Sequence, residues 1–242
     1  MQQFRKKHTK NMQKALKVVN LDKSTKKTTT VADAITLVKQ AAFVRFDSTI
    51  EIAVRLGIDP KQSSQAVRGV VLLPSGTGKS VKVAVVCNDK DVAIAAGADV
   101  AGGLELIDEI ADGNINFDLC IATPDMMGSL GRVAKILGPK GLMPNPRLGT
   151  VAVDIAKAVL NAKAGQIEFR SDKGGALNAG VGKLSFSNDN LLANILALVD
   201  ALLKAKPAGT RGEFLRSVFL SSTMTPSVMI DIADLVSQVK TY

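Results

Sequence analysis

Residues 73–87 read LPSGTGKSVKVAVVC, and the fold turns on what kind of element follows the glycines. The stretch Gly76-Thr77-Gly78-Lys79-Ser80 looks like the phosphate-cradling loop of a nucleotide hydrolase. That pattern needs Gly five positions before its Gly-Lys pair; here the position holds Leu73, followed by stiff Pro74. It also needs a helix after the loop, so that the amides and dipole of its N-terminus face the phosphate. VKVAVVC (81–87) is short and rich in β-branched residues, so it reads as a strand. A strand there removes the amide cluster, and the loop reads as a glycine-rich turn that opens a new domain. A nucleotide-driven enzyme using LPSGTGKS remains the rival reading from another functional class.

Downstream, DVAIAAGADV, GGLELIDEIADG, DLCIAT and PDMMGSLGRVAKIL alternate short apolar strands with small amphipathic helices. That rhythm predicts a compact α/β unit with a parallel sheet. GPKGLMPNPRLGT (138–150) follows, with three of the chain's eight prolines and three glycines, and is expected to be irregular throughout.

The outer thirds have another style. Residues 30–42, TVADAITLVKQAA, predict a helix capped by Thr30, with Ala34, Ile35, Val38, Ala41 and Ala42 on one face. FDSTIEIAVRLGID (46–59) alternates: Ile50, Ile52, Val54 and Leu56 point one way, Glu51 and Arg55 the other, as in a half-buried strand. Near the other end, QIEFRSDK and RGEFLRSVFLSSTM read as strands. LLANILALVDALLKA reads as a helix with a stripe of Leu192, Ile195, Leu196, Val199, Leu202 and Leu203. Elements from both ends complete one α+β layer structure, with the middle inserted. The expected domains are 1–71 with 161–242, and 72–160 between them. The chain crossings near 70–76 and 158–164 are expected to form a hinge.

No run approaches ~18 apolar residues, so no membrane span is expected. The N-terminus is basic with no apolar run behind it, which argues against a secretory signal and leaves an organelle transit sequence open. Cys87 and Cys120 read as small buried hydrophobes. One histidine, His8, and two separated cysteines make no metal-ligand constellation, and no cofactor is implied. Glu105, Asp108, Glu109 and Asp112 recur at helical spacing, and Asp125 follows a strand end. With no histidine, nucleophile or metal partner beside them, they read as solvated surface, and no catalytic site is expected.

Charge is more informative. Residues 1–27 carry nine basic side chains (Arg5, Lys6, Lys7, Lys10, Lys14, Lys17, Lys23, Lys26, Lys27) against Asp22, whereas 72–160 hold eight basic and ten acidic residues. A polyanion therefore meets its attraction at the tail and outer segments, not in the middle. RNA recognition needs cations for phosphates, a flat side chain to stack, and small polar groups near 2′-hydroxyls. Arg45-Phe46, Arg170, Lys173, Arg216 and the SSTM run (221–224) supply all three types at strand ends. From composition alone, Phe46 reads equally well as a core aromatic.

ILGPKGLMPNP (136–146) resembles a stretch of the bacterial-type family of large-subunit ribosomal protein L-one. The resemblance extends through FDSTIEIAVRLGID, SSQAVRGVVLLPSGTGKSVKVAVV, AGAD, NFDLCIATPDMMG, ILGPKGLMPNPRLGTV, NAKAGQIEFRSDK, VGKLSF and KPAGTRGEFLRSVFLSSTM, in order and over most of the chain. It implies a split α+β domain from both termini with an inserted Rossmann-like α/β domain, in which the LPSGTGKS loop opens the insert and binds no nucleotide. It further implies binding to a junction in large-subunit (23S-type) rRNA at the mobile side stalk, beside other ribosomal components and the deacylated tRNA leaving the exit site. Repression of its own mRNA is a further implied role, and the implied location is the ribosome, cytoplasmic or organellar. A free regulatory RNA-binding protein is the runner-up among binding readings. Residue by residue, Arg45, Phe46 and Thr49 match the first contact strand, and Arg170, Asp172 and Lys173 the second. Ser221, Thr223 and Met224 match the threonine-methionine contact. Two residues depart from the pattern. Thr225 stands where the family has Gly, an expected obstruction to close backbone approach. Ser171 stands where Asn is common. Beyond Pro226, the extension ending IDIADLVSQVKTY predicts a short helix or strand.

Overall fold

The computed structural model describes residues 9–19, 28–59, 62, 65–87, 89–207, 209, 210 and 212–241. Of the basic tail, Arg5, Lys6, Lys7, Lys23, Lys26 and Lys27 lie outside these residues, as does His8. Lys10, Lys14 and Lys17 are exposed on α1 (Lys10–Val18), which Thr9 caps and whose Ala15 is buried.

α2 (Val31–Ala41) starts where a cap was expected: Thr30 accepts from the Asp33 amide, and Val31, Ala34, Ile35, Val38 and Ala41 are buried. β1 (Thr49–Leu56) buries Ile50, Ile52, Val54 and Leu56 and leaves Glu51 and Arg55 exposed. The period of two thus sorts one apolar and one polar face. β2 (Arg68–Leu72) follows the polar joint.

The glycine-rich loop comes next along the chain. Gly76 and Gly78 both have φ +69°, a left-handed conformation that glycine adopts without steric cost. The element after the loop is a strand, β3 (Val83–Val86), so no helix N-terminus faces it. Buried Asn194 holds the loop instead: its side-chain oxygen accepts from the Ser75 amide at 3.0 Å, and its Nδ2 donates to the Gly76 carbonyl at 3.0 Å.

From there run α3 (Lys90–Ala95), β4 (Val100–Gly102), α4 (Leu104–Ala111), β5 (Leu119–Ala122), α5 (Met127–Leu130), α6 (Ala134–Lys140) and α7 (Ile155–Lys163). β3 lies between β4 and β5 in a parallel sheet. All four residues of β3 are buried, because helices cover both faces of the sheet. Ile155, Val159 and Ala162 of α7 pack with Ala93 of α3 against Val83, Val85 and Ile121. On the other face Leu106, Ile107 and Ile110 of α4 join Leu130, Val133 and Leu137. This is the expected α/β unit. The 138–150 stretch is not irregular throughout, because α6 continues through Gly138 and Pro139 to Lys140. Proline forfeits one helical hydrogen bond there, and the helix ends one residue after Lys140 at Gly141, whose φ of +74° forms a left-handed cap. Glu105, Asp108, Glu109, Asp112 and Asp125 are all exposed, and Glu105 pairs with Lys90.

The chain then completes the first unit with β6 (Gln166–Arg170), β7 (Ala176–Lys183), α8 (Asn188–Lys204), β8 (Leu215–Ser222), β9 (Val228–Ile230) and α9 (Ile232–Thr241). The sheet order is β7-β1-β8-β9, antiparallel throughout, while β2 and β6 form a separate ribbon. α2 and α8 pack on the apolar face of the four-stranded sheet. The extension beyond Pro226 supplies both β9 and α9. In α8 the buried side chains are Leu191, Asn194, Ile195, Leu196, Leu198, Val199 and Leu202, whereas Leu192 and Leu203 are half-buried. The stripe is therefore turned from the expected one, toward the side that carries Asn194.

Packing divides the chain into Met1–Thr77 with Glu168–Tyr242, and Gly78–Ile167. These limits fall later than the expected 72 and 160. The loop at 75–76 belongs to the first unit through Asn194, and α7, which spans most of the expected 158–164 crossing, belongs to the core of the second.

Candidate nucleic-acid interface

The second face of the four-stranded sheet is half-buried to exposed among the described residues. Thr49, Glu51, Ala53 and Arg55 of β1 face outward there, beside Asn178 and Gly180 of β7, Ser217, Phe219 and Ser221 of β8, and Met229 of β9. Most of these side chains are small, which keeps the surface flat. Arg55, Arg216, Phe219 and Met229 line a groove of about 680 Å³ floored by Ala53 and Ala176.

The nine residues singled out from the sequence fall at the two ends of this face. At the start of β1, Thr49 pairs with Lys183 across β7, and the Thr49 carbonyl accepts from the Thr223 amide (3.2 Å) and hydroxyl (3.4 Å). Arg45, Phe46, Thr49, Ser221, Thr223 and Met224 are thus brought together. Phe46 is 57% exposed and Met224 63% exposed, so neither is a core residue. Met224 also has φ +70°, the left-handed region that β-carbons disfavour. Beneath them Ser48 and Ser222, both buried, share a hydroxyl–hydroxyl bond of 2.5 Å.

Arg170, Asp172 and Lys173 lie at the opposite end, where Arg55 pairs with Ala176. The span from Thr49 to Arg55 is about 20 Å at the usual strand rise. All three are exposed. Asp172 uses one carboxylate oxygen to accept from the Gly174 and Ala176 amides, each at 2.8 Å. Its geometry is that of a turn former that presents Lys173. Ser171, in the position where Asn was the expectation, accepts from the Val67 amide through its hydroxyl at 3.1 Å.

Sequence reasoning missed Lys183. Its ammonium lies 3.3 Å from both the Asp47 carbonyl and the Thr49 hydroxyl, and Asp47 in turn accepts from the amide and hydroxyl of Ser185. Lys183 ends a run whose glycines and small residues carry no marked signal, so only the β1–β7 register reveals it. Phe219 lies half-buried beside Met229, a placement that follows from the β8–β9 register. Among the described residues, no cluster of three or more His, Cys, Asp or Glu could hold a metal ion.

By its family match the chain is a ribosomal protein and not an enzyme. The model of the ribosomal protein L1p/L10e family matches residues 37–226, and the chain belongs to that family, as a bacterial-type and non-enzymatic member. It is similar to the large ribosomal subunit protein uL1 of Rickettsia akari (strain Hartford), with 55% identity over 207 residues, covering 85% of this chain and 87% of the relative. The protein of the same name from Rickettsia bellii (strain OSU 85-389) is 57% identical over 204 residues, covering 84% and 85%. That from Rickettsia prowazekii (strain Madrid E) is 54% identical over 207 residues.

Proposed function

We propose that the chain is a structural constituent of the large ribosomal subunit that grips large-subunit rRNA with the open sheet face of its terminal unit. The observation that carries this reading is the pair of exposed apolar side chains, Phe46 and Met224, flanking the hydroxyls of Thr49 and Thr223 at one end of the face. An exposed ring suits stacking on unpaired bases, hydroxyls suit 2′-hydroxyl contacts, and Arg45, Lys183, Arg170 and Lys173 suit phosphates. By its resemblance to the ribosomal family, the site bound is the junction of the mobile side stalk. There the protein eases release of deacylated tRNA, and the same surface represses translation from a matching junction in its own mRNA. The ribosome in the cytoplasm is its place of action.

Footprinting of the purified full chain on large-subunit rRNA tests this. Protection confined to a stalk junction is the expected result, and uniform protection or none sinks the reading. A competition arm with a leader fragment of its own messenger tests repression separately, and stalk-labelled ribosomes with and without the chain test tRNA release.

A further inference from the structure

We infer that Thr225 is a positioning residue for the exposed end of the sheet: its hydroxyl holds the turn that keeps Met224 left-handed and projecting. The inference deepens the rRNA-binding reading and rests on it for the meaning of Met224. Among the described residues, Met224 is the one non-glycine residue with positive φ. A side chain persists in that region where its surroundings over-determine it.

The turn from Ser222 to Thr225 is fixed by three bonds between its ends. The Thr225 amide donates to the Ser222 carbonyl at 3.0 Å. The Thr225 hydroxyl donates to the same carbonyl at 3.0 Å and accepts from the Ser222 amide at 2.9 Å. Ser222 is itself anchored, through its buried hydroxyl, to Ser48. Ser222 is thus held from two sides, its hydroxyl by Ser48 and its backbone amide and carbonyl by the Thr225 hydroxyl. The hydroxyl of Thr225 is spent inside the turn, and the side chain expected to obstruct a close approach is folded back as a brace. Without it the Ser222 amide loses the oxygen it donates to, and the turn loses two of the three bonds that oppose relaxation of Met224.

The full chain with Thr225→Val, Thr225→Ser, Met224→Gly and the Met224→Gly/Thr225→Val pair tests this with two readouts. The first is the backbone carbon chemical shifts at position 224 in the free protein, which report φ. The second is affinity for a large-subunit rRNA fragment containing the stalk junction. Thr225→Val is expected to move the Met224 shifts off left-handed values and to weaken binding roughly three- to tenfold, the share of one hydrogen bond. Thr225→Ser restores both. In the Met224→Gly background, glycine holds positive φ unaided, so Thr225→Val costs no further affinity. Unchanged Met224 shifts in Thr225→Val overturn the inference whatever the affinity does. So does a full further loss in the Met224→Gly background, which would place Thr225 against the RNA itself. A wild-type chain that ignores the rRNA sinks the proposed function, while the shifts still decide the role of Thr225.

Discussion

At 57% exposure the Phe46 ring has little packing to lose, and two residues, Asp47 and Ser48, separate it from Thr49, where the sheet begins. Removing the ring therefore separates binding from folding. Phe46→Ala is expected to leave the thermal midpoint of the protein near that of wild type and to cost about 1–3 kcal/mol of rRNA affinity, the usual worth of a base–aromatic stack. The slope of log affinity against log salt stays the same, because no charge is removed. Arg45→Gln has the converse signature, reducing that slope by about 0.7–0.9 for the one phosphate it no longer neutralises. Filter binding across a salt series reads both. A Phe46→Ala protein that melts early and binds normally would return the ring to a packing role. Composition left this open, since phenylalanine is so often buried. Position in the fold decides exposure, and that depends on Ser48, not Phe46, turning inward to meet Ser222.

Elements whose pattern is local were legible, and those decided by distant partners were not. The alternation in β1 has one possible sense, because Glu51 and Arg55 cannot share a face with Ile52 and Val54. In α8, leucines occur around most of the helix, so the buried stripe is chosen by what it meets, and an asparagine is at its centre. Asn194 donates to the Val181 carbonyl at 2.7 Å as well as holding the 75–76 loop. Asn194→Leu keeps the branched four-atom skeleton of the side chain, with bulkier ends, and orphans three backbone groups. The expected loss is about 3 kcal/mol or more at roughly 1 kcal/mol or more for each group, read as a lower urea midpoint with an unchanged slope; a midpoint within error of wild type would refute the anchoring role. β5 offers a second test. Burial pushes the Cys120 thiol up to about 12, against about 8.5 for a free thiol. The folded state then holds a proton that the unfolded chain releases. Its stabilising effect is complete below about pH 8.5 and declines as pH rises toward 12, by up to about 1.4 kcal/mol per pH unit. Cys120→Ala is expected to flatten this part of the stability curve in urea titrations between pH 8 and 10; identical curves would contradict the burial argument.

At the scale of the molecule, charge divides along the lines of the two units. Gly78–Ile167 holds nine basic and ten acidic side chains, so the remaining residues carry the whole excess of a chain whose net charge is +9. The tail's share of that excess was plain from composition. How the platform is divided was not: Arg170 and Lys173 stand about 20 Å of strand from Arg45 and Lys183, and register alone says so. A polyanion that follows the open face meets cations at both ends, with Arg55 and Arg216 in the groove at the end that carries Arg170 and Lys173. Binding through many phosphates gives a steep salt dependence, about 0.7–0.9 in log–log slope for each phosphate neutralised. The two units then predict opposite outcomes for the same chemical change. Converting Lys173, Lys183, Arg55 and Arg216 together to glutamine lowers the slope by about 3, at that rate for four phosphates. Converting Lys82, Lys90, Lys135 and Lys140 of the inserted unit removes as much charge from the molecule and leaves the slope within error, because the slope counts only the phosphates that are neutralised and these cations are not part of the sheet face. Equal losses from the two sets would mean that net charge, not the sheet face, governs binding.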